Sequence, residues 1–115
     1  IDPRLPTKTY VWGVNIGSDA VCWTDDFVVQ NGHVVNAEVG GQPLVIAWDP
    51  MYESLNVWIN DTGRPVTEVD FFGRTPDGQL RRSRDVKPGM FWHVWSEFFP
   101  HTEINRSDAA AAEAA

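Results

Sequence analysis

The sequence predicts a mainly β fold: a compact single domain of short antiparallel strands and hairpins, with one short aromatic helix near the C-terminus. Three observations predict it. Short apolar runs rich in Val, Ile and Trp recur along the chain, and Gly, Pro, Asp or Asn closes each of them. Turn formers such as Asp77-Gly78 supply hairpin connections between runs. Only MFWHVWSEFFP (90–100) departs from this pattern, with rings at helical spacing. At 115 residues the chain can bury one modest core and not two.

IDPRLPTKT (1–9) has two prolines and little periodicity, and reads as an extended arm, outside the core, that either lies on the domain or leads in from a preceding segment. YVWGVNI (10–16) and AVCW (20–23) flank Gly17, Ser18 and Asp19, so a first hairpin is expected. FVVQ (27–30) is read as a third strand and HVVNAEV (33–39) as a fourth. Gly40-Gly41 then breaks the chain before QPLVIAW (42–48), the most apolar strand. After WDPMY (48–52) come LNVWI (55–59) and TEVDFFGRT (67–75), the latter entering a hairpin at Asp77-Gly78. Trp92, Trp95 and Phe99 recur at spacings of three and four before Pro100, which predicts a helix over 90–99 packed on the sheet. The domain is thus expected over 10–106. The tail 107–115 is Ala-rich, with almost nothing to bury, and is left out of the fold.

Nine basic and sixteen acidic residues give a net charge of −7, which disfavours nucleic acid and anionic lipid as partners. Cys22 is the only cysteine, so an internal disulfide, an all-Cys metal site and a dithiol couple are all excluded. No apolar run approaches membrane-spanning length, and direct insertion of this segment is not expected. A chain that starts at Ile1 rather than Met is expected to have been processed, trimmed or excised. GxSxG, HExxH, a phosphate-cradling glycine loop and a calcium loop are missing, so no catalytic residue and no cofactor is assigned.

The candidate residual site is therefore small: His33, Asp49, Tyr52 and Glu53. His33 follows the turn-like pair Asn31-Gly32 and reads first as a solvated side chain. Asp49 and Glu53 could pair for acid–base work, but an Asp before Pro is also a common turn opener, the preferred reading. His93 and His101 flank the aromatic helix with no acid or cysteine at metal-ligand spacing. Cys22, between Val21 and Trp23, reads as a buried inert thiol.

GVNIGSDAVCW (13–23), VVNAEVGGQPLVIAWDPMY (34–52) and WHVWSEFFPHT (92–102) resemble successive landmarks of the protein-of-unknown-function family DUF3179. The scaffold positions of that family carry over onto Gly13, Val14, Ile16, Gly17 and Ala20, onto Val34, Val35 and Asn36, and onto Gly40, Gly41, Pro43 and Pro50. Trp92, Trp95, Pro100 and Thr102 continue the match. The chemical positions depart from it. Where the resemblance implies a His and a Cys-Pro-x-Cys motif, this chain has Gly32 and, at the two cysteines, Asp49 and Tyr52. A one-residue slip would bring His33 onto the family's His at the expense of the Val34-Val35-Asn36 match. Thiolate and imidazole suit a soft or borderline metal or thiol redox work, whereas a carboxylate and a phenol do not replace them. The chain thus resembles a divergent member in which the site has been filled in, with Pro50 keeping the turn and Met51 and Tyr52 packing where ligands stood.

The function expected from this is a non-catalytic accessory domain that binds another protein within a larger assembly. The assembly is expected to be extracytoplasmic, because the resemblance implies exported relatives, and membrane association of the partner is open. Six Trp on a small acidic domain support an interface. Two alternatives stand beside it: a small-ligand or carbohydrate module that stacks sugars on exposed Trp, and a metal or redox protein with a reduced site.

Overall fold

The computed structural model describes residues 2–107. In chain order the elements are β1 (Tyr10–Ile16), β2 (Asp19–Trp23), α1 (Asp25–Gln30), β3 (Val34–Val39), β4 (Gln42–Asp49) and β5 (Ser54–Ile59). They continue with β6 (Arg74–Thr75), β7 (Gly78–Gln79), β8 (Arg81–Arg82), β9 (Val86–Phe91), α2 (Trp92–Phe98) and β10 (Glu103–Asn105). One sheet has the order β10-β2-β1-β9, a second β3-β4-β5-β8, and β6 pairs with β7 alone. Pairing is antiparallel except for β10, which runs parallel to β2 with Glu103 opposite Val21.

The alternation of side chains explains why β2, β4 and β5 are buried along most of their length. A strand covered on both faces needs no polar row. In β2, Val21 and Trp23 face the second sheet, where they meet Leu44, Ile46, Leu55 and Val57, while Ala20 and Cys22 face away. In the second sheet Leu44 and Ile46 point inward, whereas Val45 and Trp58 point outward onto Val66 and Leu80 from the 60–80 segment. Three apolar layers result: one between the sheets, one under α2 and one beneath the 60–80 segment.

Gly40 and Gly41 make the β3–β4 turn with φ of 56° and 79°, the left-handed values a two-residue hairpin turn requires. Gly13 answers a different need. The Trp95 ring lies flat against it, and a Cβ there would stand 2.4 Å from a ring carbon.

Four expectations change. FVVQ is not a strand but part of α1: Thr24 caps the helix by accepting from Phe27 N, and Asp25 and Asp26 sit in the first turn. Capping chemistry thus outweighs the β preference of Val28 and Val29. The 67–75 segment is extended only at Arg74–Thr75, because Asp70 turns the chain by accepting from the amides of Phe72 and Arg74, each at 2.9 Å. The aromatic helix is shorter than 90–99, since Met90 and Phe91 complete β9 by pairing with Val11 and Tyr10. The arm is part of the domain: Leu5 is buried with Trp92 and Trp95, and Arg4 donates to the carbonyls of Thr102 and Pro100 at 2.9 and 3.1 Å. Of the tail, Ser107 is buried, and the expectation for 108–115 lies outside the described residues.

Candidate functional site at the β4–β5 hairpin

Antiparallel pairing brings the two separated parts of the candidate site to one end of the second sheet. His33 lies beside Trp48, whose amide donates to the His33 carbonyl at 2.8 Å, and Asp49 is the next residue along β4. The side chains nevertheless take different directions. Trp48 packs toward the inner core, so Asp49 projects from the opposite face of the pleat. His33 has a left-handed φ of 72° and closes α1 by donating its amide to the Val28 carbonyl.

Asp49 Oδ1 accepts from the amides of Met51 and Tyr52 at 2.9 and 3.0 Å, so the carboxylate is occupied in holding the Pro50 turn. Glu53 follows with a left-handed φ of 48° and an exposed side chain. Among the described residues no three His, Cys, Asp or Glu side chains are grouped so that they could hold a metal ion.

Met51 and Tyr52 do not pack inward as the filled-in reading expects. Met51 is 81% exposed and Tyr52 54% exposed. Tyr52 lies against Phe71, with ring centroids 4.2 Å apart, and Phe71 meets Phe72 edge-on at 5.4 Å. Phe72 is itself exposed and carries the Arg74 guanidinium 5.2 Å from its ring centre. The hairpin tip and the Asp70 turn therefore form one apolar surface, exposed Met51, Tyr52 and Phe72 around the half-buried Phe71, edged by Arg74. Sequence reasoning missed the Phe71–Phe72 half because it placed TEVDFFGRT in a strand. The dipeptide next to Asp70 and Gly73, both turn formers, was the available signal.

The tryptophans are elsewhere. Trp23, Trp58, Trp92 and Trp95 are buried, and Trp12 and Trp48 half-buried. His93 and His101 are exposed on the surface, with His93 Nδ1 3.0 Å from the Thr7 carbonyl. The recess beside Asn36, Asn60 and Arg64 has a volume of about 470 Å³. Its amides are already used: Asn36 exchanges two bonds with the Val66 backbone, and Asn60 bonds Arg64 and Thr62.

Cys22 is fully buried, and burial pushes its thiol up to about 12, against a smaller opposing effect of Thr102. It is expected to resist a thiol reagent under native conditions and to be labelled at the rate of an ordinary thiol once denaturant is added. Fast native labelling would contradict this placement.

The family model described as "Protein of unknown function (DUF3179)" matches residues 1–102. No curated protein and no solved structure matches the chain.

Proposed function

The chain belongs to the DUF3179 family, and from that premise we propose that it is a non-catalytic accessory domain that binds another protein through the β4–β5 hairpin. The observation that carries this reading is the apolar surface on which Met51, Tyr52 and Phe72 stand exposed around the half-buried Phe71. Aromatic residues, Met and Arg are the residues enriched at protein interfaces, and a contiguous exposed group of them is uncommon on a surface that meets only water. The position supports the same reading. The hairpin stands where the resemblance implies Cys-Pro-x-Cys, so the scaffold is kept while its tip presents a carboxylate tied up in a turn, a thioether and a phenol.

In this reading the assembly is extracytoplasmic and the partner is a protein that is itself free to be membrane-associated. No helix among the described residues is long and apolar enough to cross a membrane. The test is co-purification from the source under mild conditions, comparing the natural chain with a Tyr52→Ser/Phe72→Ser variant. Both side chains are more than half exposed, so the variant is expected to keep its melting temperature and lose the co-purifying protein. Identical recovery of companions with the two chains would sink the reading.

A further inference from the structure

A second surface lies at the other end of β5 from the hairpin and has different chemistry. The second sheet ends at β8, a two-residue edge strand in which Arg81 pairs with Ile59 and Arg82 with Trp58. The chain then leaves for β9 in the other sheet, and the departure opens a groove of about 970 Å³ lined by Ile59, Arg81, Arg82, Ser83, Arg84 and Asp85. On a chain of net charge −7, this groove collects three arginines within four residues against one carboxylate.

The groove arginines differ in how they are neutralised from three arginines elsewhere in the fold. Arg4, Arg64 and Arg74 each hold a carboxylate at 2.8 Å or closer. Arg81 reaches Asp61 only at 3.5 Å, with its side chain 68% exposed. Arg84 is exposed, and its side chain has no ion-pair or hydrogen-bond partner among the described residues. Arg82 is held in place, donating to Asn56 Oδ1 at 3.0 Å with its guanidinium 4.9 Å from the Trp58 ring centre. One arginine is therefore fixed and the two beside it have unused donors.

We propose that this groove binds an extended acidic segment of a partner protein, added along the open edge of β8 with its carboxylates on Arg81 and Arg84. Guanidinium forks match carboxylates two bonds at a time, and an unpaired strand edge supplies main-chain bonds to an added strand. Charge complementarity selects the occupant. The groove attracts anions, while the overall negative charge of the domain works against a dense polyanion such as nucleic acid more than against a short segment with a few carboxylates. The open edge favours a peptide over a lone phosphate, which has no use for a strand.

Fluorescence anisotropy with the full chain and a labelled peptide of alternating Glu and Val tests this. The peptide is expected to bind, with affinity falling as salt rises, and its Gln-Val counterpart to bind about tenfold or more weakly. An Arg81→Gln/Arg84→Gln variant is expected to lose a similar factor while its circular-dichroism melting curve stays unchanged. A Glu-Val peptide N-methylated on alternate residues is expected to bind weakly, because the strand bonds are blocked. Failure of the Glu-Val peptide to bind, equal binding of the Gln-Val peptide, or indifference to the variant would overturn the proposal. So would equal binding of the N-methylated peptide, displacement by inorganic phosphate at matching concentration, or tighter binding of a short DNA strand. Loss of hairpin-dependent co-purification leaves these outcomes untouched, since Tyr52 and Phe72 do not line the groove.

Discussion

Trp95→Ala is expected to lower stability by about 3–5 kcal/mol, out of the roughly 5–15 kcal/mol typical of a domain, and to leave much of the isolated protein unfolded near its working temperature. The indole is fully buried beside Val11, Ala20, Cys22 and Trp92, with the half-buried Phe99 ring 4.3 Å away between centroids, so truncation empties the volume of an entire indole. Its Nε1 donates to Thr102 Oγ1 at 2.9 Å, and that hydroxyl lies 3.2 Å from the Ala20 carbonyl, so the ring also ties the helix to β2. Trp95→Phe separates the two contributions: it retains most of the apolar volume, loses the bond, and is expected to cost about 1–3 kcal/mol. Urea titration followed by circular dichroism measures both. If Trp95→Ala melted like the natural chain, the ring would have to face solvent or a partner, and the layer under α2 would be wrong.

Gly13→Ala is expected to destabilise by about 1–3 kcal/mol or more, although replacing a strand glycine by alanine ordinarily stabilises by restricting the unfolded chain. The sign is reversed by one contact. The new Cβ would stand 2.4 Å from the Trp95 ring, which is rigid and pinned by Thr102, and β1 has little freedom to retreat because Gly13 pairs with Cys22 on one side and Lys87 on the other. A smaller partner should relieve the clash, so Gly13→Ala and Trp95→Leu are expected to be clearly non-additive, the double variant losing less than the sum of the singles. A stabilised Gly13→Ala chain, or strict additivity, would refute the contact. Gly13, Ala20, Trp95 and Thr102 are all positions that carry the resemblance to DUF3179, and the structure shows them as one packing unit.

The arm shows how a local reading goes astray. IDPRLPTKT carries no periodicity, yet Trp92 Nε1 donates to the Asp2 carbonyl, Trp92 N to the Thr9 carbonyl, and the Arg4 guanidinium stands 5.3 Å from the Trp92 ring centre. That guanidinium also holds the Asp2 carboxyl below the usual carboxylate range, through a direct hydrogen bond. Nothing in a nine-residue stretch announces that its one leucine will meet helix residues some ninety positions away. β10 was unreadable for the same reason: three residues with no alternation are a strand only because β2 lies beside them.

The sequence by itself determined the mainly β class, the hairpin across Gly17-Ser18-Asp19, the break at Gly40-Gly41, a hairpin around Asp77-Gly78 whose turn falls one residue earlier, the turn role of Asp49 and the burial of Cys22. These follow from chemistry acting within a few residues: turn formers at turns, a carboxylate reaching the next amides, an apolar run that must be covered. Only the tertiary structure decided which faces were covered and by what. It made FVVQ a helix through the Thr24 cap, gave the buried Trp rings three layers to fill, left Met51, Tyr52 and Phe72 in solvent, and set Arg81 and Arg84 at an open sheet edge. Burial and exposure are properties of surfaces that meet across the fold, and pairs distant in the chain settle them. A period of two or of 3.6 residues says that a face is apolar, and not what lies against it.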